Sequence, residues 1–124
     1  MEAYKIQGTE DSPTITLNAA ENMFEFSGRS MPENAAGFYA PALSWIEEYV
    51  KNPNPETILN IKLEYFNTAS SKILLDIIMS FEKIVSTGKS LKINWYYQAD
   101  DDDMLEAGEG YADIVEVPFT YLTY

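Results

Sequence analysis

The chain has 124 residues, 46% of them hydrophobic, enough for one compact domain with a buried core. It contains no cysteine and no histidine, which excludes disulfides, thiolate nucleophiles, sulfur metal sites and imidazole acid–base chemistry. The formal charge is −12, and all eight Lys and Arg lie at or before Lys92 while eight Asp and Glu follow it, a balance that disfavours nucleic acid and anionic membrane as partners.

In chain order, the opening "MEAYKIQGTED" lacks a basic segment followed by an apolar run, and no stretch approaches the roughly 20 apolar residues of a membrane span, so a cytoplasmic protein is expected. Short alternating runs follow, "YKIQ", "TITLN" and "MFEFSG", separated by the turn formers Gly8, Ser12-Pro13 and Glu21-Asn22. They read as an antiparallel meander. After "SMPEN", the residues Phe38, Tyr39, Ala42, Leu43, Ile46, Tyr49 and Val50 recur at helical spacing with Glu47 and Glu48 turned outward. Pro41 inside this pattern predicts a kink or a late helix start.

"NPNPE" breaks the chain before "TILNIKLEYFN", in which Leu59, Ile61, Leu63 and Tyr65 alternate with Asn60, Lys62 and Glu64. This predicts a strand with one wet face. The spacing of Ile73, Leu74, Ile77, Ile78, Phe81, Ile84 and Val85 predicts a helix from about Ala69 to Thr87, with Gly88 as its C-cap. "SLKINWYYQ" alternates again, with Leu91, Ile93, Trp95 and Tyr97 on one side and Lys92, Asn94 and Tyr96 on the other. A short acidic helix and a last strand near "VEVPFTYLT" complete the order βββαβαβαβ. Strands separated by helices imply right-handed crossovers and a partly parallel sheet. Because the strands alternate rather than run continuously apolar, the helices are expected mainly on one face of a single-domain, two-layer α/β mixed sheet.

The junction between the fourth strand and the main helix concentrates Asn67, Thr68, Ser70 and Ser71. Such side chains cap helix starts by accepting orphan amide protons, worth about 1 kcal/mol. The same position tolerates a phosphate, because the helix start offers free N–H groups and positive dipole. Capping and modification are compatible there.

The segments "PEN" (Pro32 to Asn34), "YFNTASSKILLDI" (Tyr65 to Ile77) and "INWYY" (Ile93 to Tyr97), with the acidic "DDDDMLEAGEGYADIVEVPF", resemble the SiaC family of regulatory phosphoproteins over nearly the whole chain. The resemblance implies a STAS-like (SpoIIAA-like), anti-anti-sigma-factor-like fold and a non-enzymatic switch without a cofactor. In that switch Thr68 is the phosphoacceptor for a dedicated protein kinase and is reset by a metal-dependent serine/threonine phosphatase. The unphosphorylated form binds and activates a diguanylate cyclase, linking the protein to cyclic di-GMP and biofilm formation. Asn67, Ser70 and Ser71 are motif and helix-start neighbours of Thr68. Lys72, Asp76 and the loop residues Pro32, Glu33 and Asn34 form the expected partner-contact surface beside it, and Tyr96, on the wet side of its strand, is a further candidate contact.

Two other readings compete. One is an anti-anti-sigma factor that sequesters an anti-sigma kinase by the same switch logic. The other is a small carboxylate-based, metal-dependent hydrolase built on Asp100 to Asp103 with Glu106 and Glu109. Four consecutive aspartates point in different directions, unlike a cation loop that alternates its ligands around a glycine, so no metal site is expected. Glu47, Glu48 and Glu64 sit at outward positions, where nothing would tune them for acid–base work.

Overall fold

The structure, a computed structural model, describes residues 1–124. Alternating segments become β1 (Tyr4–Ile6), β2 (Thr14–Asn18), β3 (Met23–Ser30), β4 (Glu56–Phe66), β5 (Ser90–Tyr97) and β6 (Phe119–Thr123). The helically spaced segments become α1 (Ala35–Tyr49), α2 (Thr68–Glu82) and α3 (Asp102–Ile114). No helix is long and apolar enough to cross a membrane.

The six strands lie in sequence order across one sheet, antiparallel from β1 to β3 and parallel from β3 to β6. Each parallel step is bridged by one helix and advances in the same direction. Right-handed crossovers advancing one way must deposit their helices on the same face. Burial agrees, because Phe24, Phe26, Leu59, Ile61, Leu63, Leu91, Ile93 and Trp95 join Tyr39, Ala42 and Ile46 of α1 and Leu74, Ile77, Ile78 and Phe81 of α2 in one apolar cluster of 25 residues. Asn60, Lys62, Lys92 and Asn94 point to the opposite, helix-free face, where the Asn94 Nδ2 donates to Asn60 Oδ1 at 2.9 Å.

Three details depart from the periodicity. Tyr65 is not in the inward row: Gly28 pairs with Leu63 but Arg29 pairs with Tyr65, so Glu64 is an extra residue in β4 and the alternation inverts after it. Tyr65 is therefore 48% exposed beneath the Arg29 guanidinium, and Phe66 packs inward in its place. Helix α1 starts at Ala35, six residues before Pro41, because the Asn34 side chain caps it by accepting from the Gly37 amide at 3.1 Å. Pro41 lies inside the helix on its exposed side.

Helix α2 stops at Glu82, short of the predicted end, and the chain continues as a 3₁₀ turn over Val85–Thr87. There the Ser86 and Thr87 hydroxyls donate to the carbonyls of Lys83 and Ile84, offering those acceptors a side-chain partner in place of a continued helical ladder. Val85 thereby leaves the apolar stripe and is half exposed, while Gly88 takes the left-handed conformation (φ 85°) that ends the turn.

Candidate functional site: the start of helix α2

The β4–α2 junction is built from the backbone outward. Asn67 is the N-cap of α2: its Oδ1 accepts from the Ser70 amide at 2.9 Å, and its own amide donates to the Ser30 carbonyl at 2.9 Å. Thr68 is the first helical residue and is exposed. The predicted cap is thus Asn67, and Thr68 stands free of that task.

The other two hydroxyls are occupied. Ser70 is fully buried, accepts from the Ser30 Oγ at 2.8 Å and donates to the Ser30 carbonyl at 3.1 Å. Since the single Ser30 hydroxyl proton goes to Ser70, the 2.6 Å contact between Tyr39 and Ser30 has Tyr39 as donor. A directed chain results, from Tyr39 to Ser30 to Ser70 to the Ser30 carbonyl, every member of it buried. Burial pushes the Tyr39 phenol up to about 12, partly opposed by its bond to Ser30. Ser71 turns its hydroxyl back to the Thr68 carbonyl at 2.7 Å.

Helix α3 braces the same turn from the other side. The Tyr111 hydroxyl donates to the Ser71 carbonyl at 2.7 Å, and desolvation raises this phenol to about 12 as well. Its ring packs on Trp95 and Phe66, and the Trp95 indole N–H donates to the Met104 carbonyl at 2.9 Å. Gly108 permits this approach, because a Cβ there would stand 2.6 Å from the Trp95 ring. Sequence periodicity gave no sign of Ser30, Tyr39 or Tyr111 as partners of this corner. Ser30, a polar residue in an inward phase at the end of β3, was the one signal available.

Of the remaining predicted residues, Lys72 and Asp76 are exposed on α2, and the Asn67 to Ser30 bond ties the start of α2 to the end of β3, from which the Pro32, Glu33 and Asn34 loop runs on to α1. Asn34 is committed as the cap of α1. Tyr96 lies elsewhere, on the helix-free face, edge-on to Tyr124, with the Lys62 ammonium 5.5 Å and 4.9 Å from the two rings. The acidic run does not converge: Asp101 caps α3 by accepting from the Met104 amide at 3.0 Å, and Asp102 and Asp103 occupy the first turn, where the dipole favours them. No three acidic side chains stand close enough to share a metal ion. Asp101, Asp103 and Glu64 instead rim a shallow cleft of about 460 Å³ floored by Tyr65, Phe66, Met104 and Ala107.

A six-stranded mixed sheet with three helices on one face, with an exposed threonine at the start of its central helix, defines a small two-layer α/β protein. Residues 6–124 match the SiaC family of regulatory phosphoproteins, and the chain belongs to that family. An uncharacterized protein of Pseudomonas aeruginosa (strain UCBPP-PA14) is 25% identical over 114 residues, which cover 92% of this chain and 90% of the relative. Apo-SiaC from Pseudomonas aeruginosa superposes with a TM-score of 0.88 at 25% identity, covering 98% of this chain and 99% of that one. SiaC in its complex with the diguanylate cyclase SiaD, of which it is the activator, superposes with a TM-score of 0.90 at 24% identity, covering 98% and 99% of the two chains.

Proposed function

We propose that the chain is a single-domain, STAS-like, non-enzymatic switch of the cytoplasm, controlled by phosphorylation of Thr68. Unphosphorylated, it binds and activates a diguanylate cyclase; a protein kinase turns it off and a metal-dependent serine/threonine phosphatase restores it. The observation that carries the reading is the exposure of Thr68 at the first position of α2, beside neighbours whose polar side chains are already engaged. The likeness to SiaC, which is found in complex with the cyclase SiaD, supports the partner class.

The physical mechanism is a contrast of two environments for one dianion. In the free protein, a phosphate on Thr68 meets the unpaired N–H groups and positive end of α2, a favourable interaction of about 0.3–1 kcal/mol that leaves the fold intact. Under a partner the same charge must be desolvated, at a cost of several kcal/mol. The surface formed by Lys72, Asp76 and the Pro32 to Asn34 loop surrounds that charge and would lose its partner. Tyr96, on the other face, contributes only if the partner reaches around the sheet edge.

The test is production of cyclic di-GMP from GTP by a candidate cyclase of the same genome, measured with the unmodified chain, the Thr68-phosphorylated chain, Thr68→Ala and Thr68→Asp. The unmodified chain and Thr68→Ala should stimulate, and the phosphorylated chain and Thr68→Asp should bind at least tenfold more weakly. Equal stimulation by all four would remove phosphorylation control; no stimulation of any cyclase would remove the partner.

A further inference from the structure

The core is apolar except at a few places. Four polar residues are buried, Ser30, Thr57, Ser70 and Ser80, and two of them, Ser30 and Ser70, join Tyr39 in the hydroxyl chain behind Thr68. A buried polar chain costs stability wherever one link fails, so its members act as a unit in holding one geometry. This one connects the second turn of α1, the end of β3 and the first turn of α2, residues up to 40 positions apart. Its last hydroxyl is that of Ser70, two residues from Thr68 and, like it, an alcohol able to accept a phosphoryl group.

We propose that Ser30 and Tyr39 are positioning residues of the modification site: acting through Ser70, they clamp the first turn of α2, withhold the Ser70 hydroxyl from a kinase and leave Thr68 as the hydroxyl presented. The proposal rests on the reading of Thr68 as a phosphoacceptor. Phosphoryl transfer requires the hydroxyl oxygen to reach the γ-phosphorus of a nucleoside triphosphate. The new O–P bond forms as the bond to the bridging oxygen breaks, the nucleoside diphosphate departs, and the hydroxyl proton passes to a base of the kinase. Ser70 has no exposed surface, accepts one hydrogen bond and gives its proton to the Ser30 carbonyl, so it meets none of these requirements. The Ser71 proton is given to the Thr68 carbonyl. Only Thr68 combines exposure with a hydroxyl that none of these bonds employs.

Two measurements test this on the full chain. The first needs no kinase: amide hydrogen exchange over residues 67–71 in Ser30→Ala and Tyr39→Phe, compared with Ile46→Val, which trims a buried side chain two turns further along α1. Exchange over this segment should rise at least tenfold in Ser30→Ala, and less in Tyr39→Phe, beyond any change in Ile46→Val. Exchange no faster than in Ile46→Val would overturn the clamp. The second is phosphopeptide mapping after co-expression with the kinase, in Thr68→Ala and in Thr68→Ala combined with Ser30→Ala. Phosphate should be absent from the first and appear on Ser70 in the second. A double variant as unmodified as the single one would overturn the selectivity. A wild-type chain that carries no phosphate on Thr68 would instead refute the functional reading and with it the selectivity, while the exchange result decides the clamp independently.

Discussion

Two glycines of α3 offer a paired measurement of the packing that braces the site. A Cβ on Gly108 would stand 2.6 Å from Cδ1 and Nε1 of Trp95, whereas a Cβ on Gly110 would meet nothing within 4 Å. Both substitutions to alanine gain about 1 kcal/mol of helix propensity. Only Gly108→Ala also forces atoms apart. The Trp95 ring cannot swing away, because its N–H is held by the Met104 carbonyl at 2.9 Å and its faces and edges meet Phe66, Tyr111 and Phe119. The displacement must fall on α3, at about 1–3 kcal/mol for an overpacked core. Gly110→Ala should therefore be stabilised by up to about 1 kcal/mol, and Gly108→Ala should lie about 1–3 kcal/mol below it. At roughly 4 °C per kcal/mol for a chain of this size, the gap in Tm is about 4–12 °C. Urea and thermal unfolding followed by tryptophan fluorescence and far-UV circular dichroism will measure it. Equal stability of the two variants would show that α3 does not press on Trp95 as described, and the bracing of Ser71 by Tyr111 would lose its basis.

Further outcomes follow from the same geometry. The Tyr39 phenol, raised to about 12 by burial, favours the neutral form in the folded state; its stabilising effect is complete below the unfolded value near 10 and is lost as pH rises through 12. Urea midpoints should fall between pH 10 and 12 by an amount that includes roughly 2–3 kcal/mol from this group, and Tyr39→Phe should flatten that fall; an unchanged profile would contradict it. Asn67→Ala removes the acceptor of the Ser70 amide and should cost about 1 kcal/mol in thermal unfolding, whereas Thr68→Ala, at an exposed position, should stay within about 0.5 kcal/mol of the parent. The extra residue at Glu64 ranks its neighbours: Phe66→Ala should cost about 2–3 kcal/mol and Tyr65→Ala under about 1 kcal/mol, and the reverse order in urea would restore an uninterrupted alternation through β4.

The elements of this protein are written in local periods, so the chain alone determined them. Alternation at Leu59, Ile61 and Leu63 and the stripe from Ile73 to Phe81 each describe one face of one element, and the helix-start chemistry of Asn67 and Thr68 needs only adjacent residues. The tertiary structure decided whatever depends on a partner distant in sequence. Glu64 is an extra residue only in relation to the register of β3, and that relation turns Tyr65 outward and Phe66 inward. Ser70 looks equivalent to Thr68 until Ser30, 40 positions away, takes its hydroxyl into the core. Hydrogen bonds and burial are properties of pairs of segments, and one segment read by itself does not contain them.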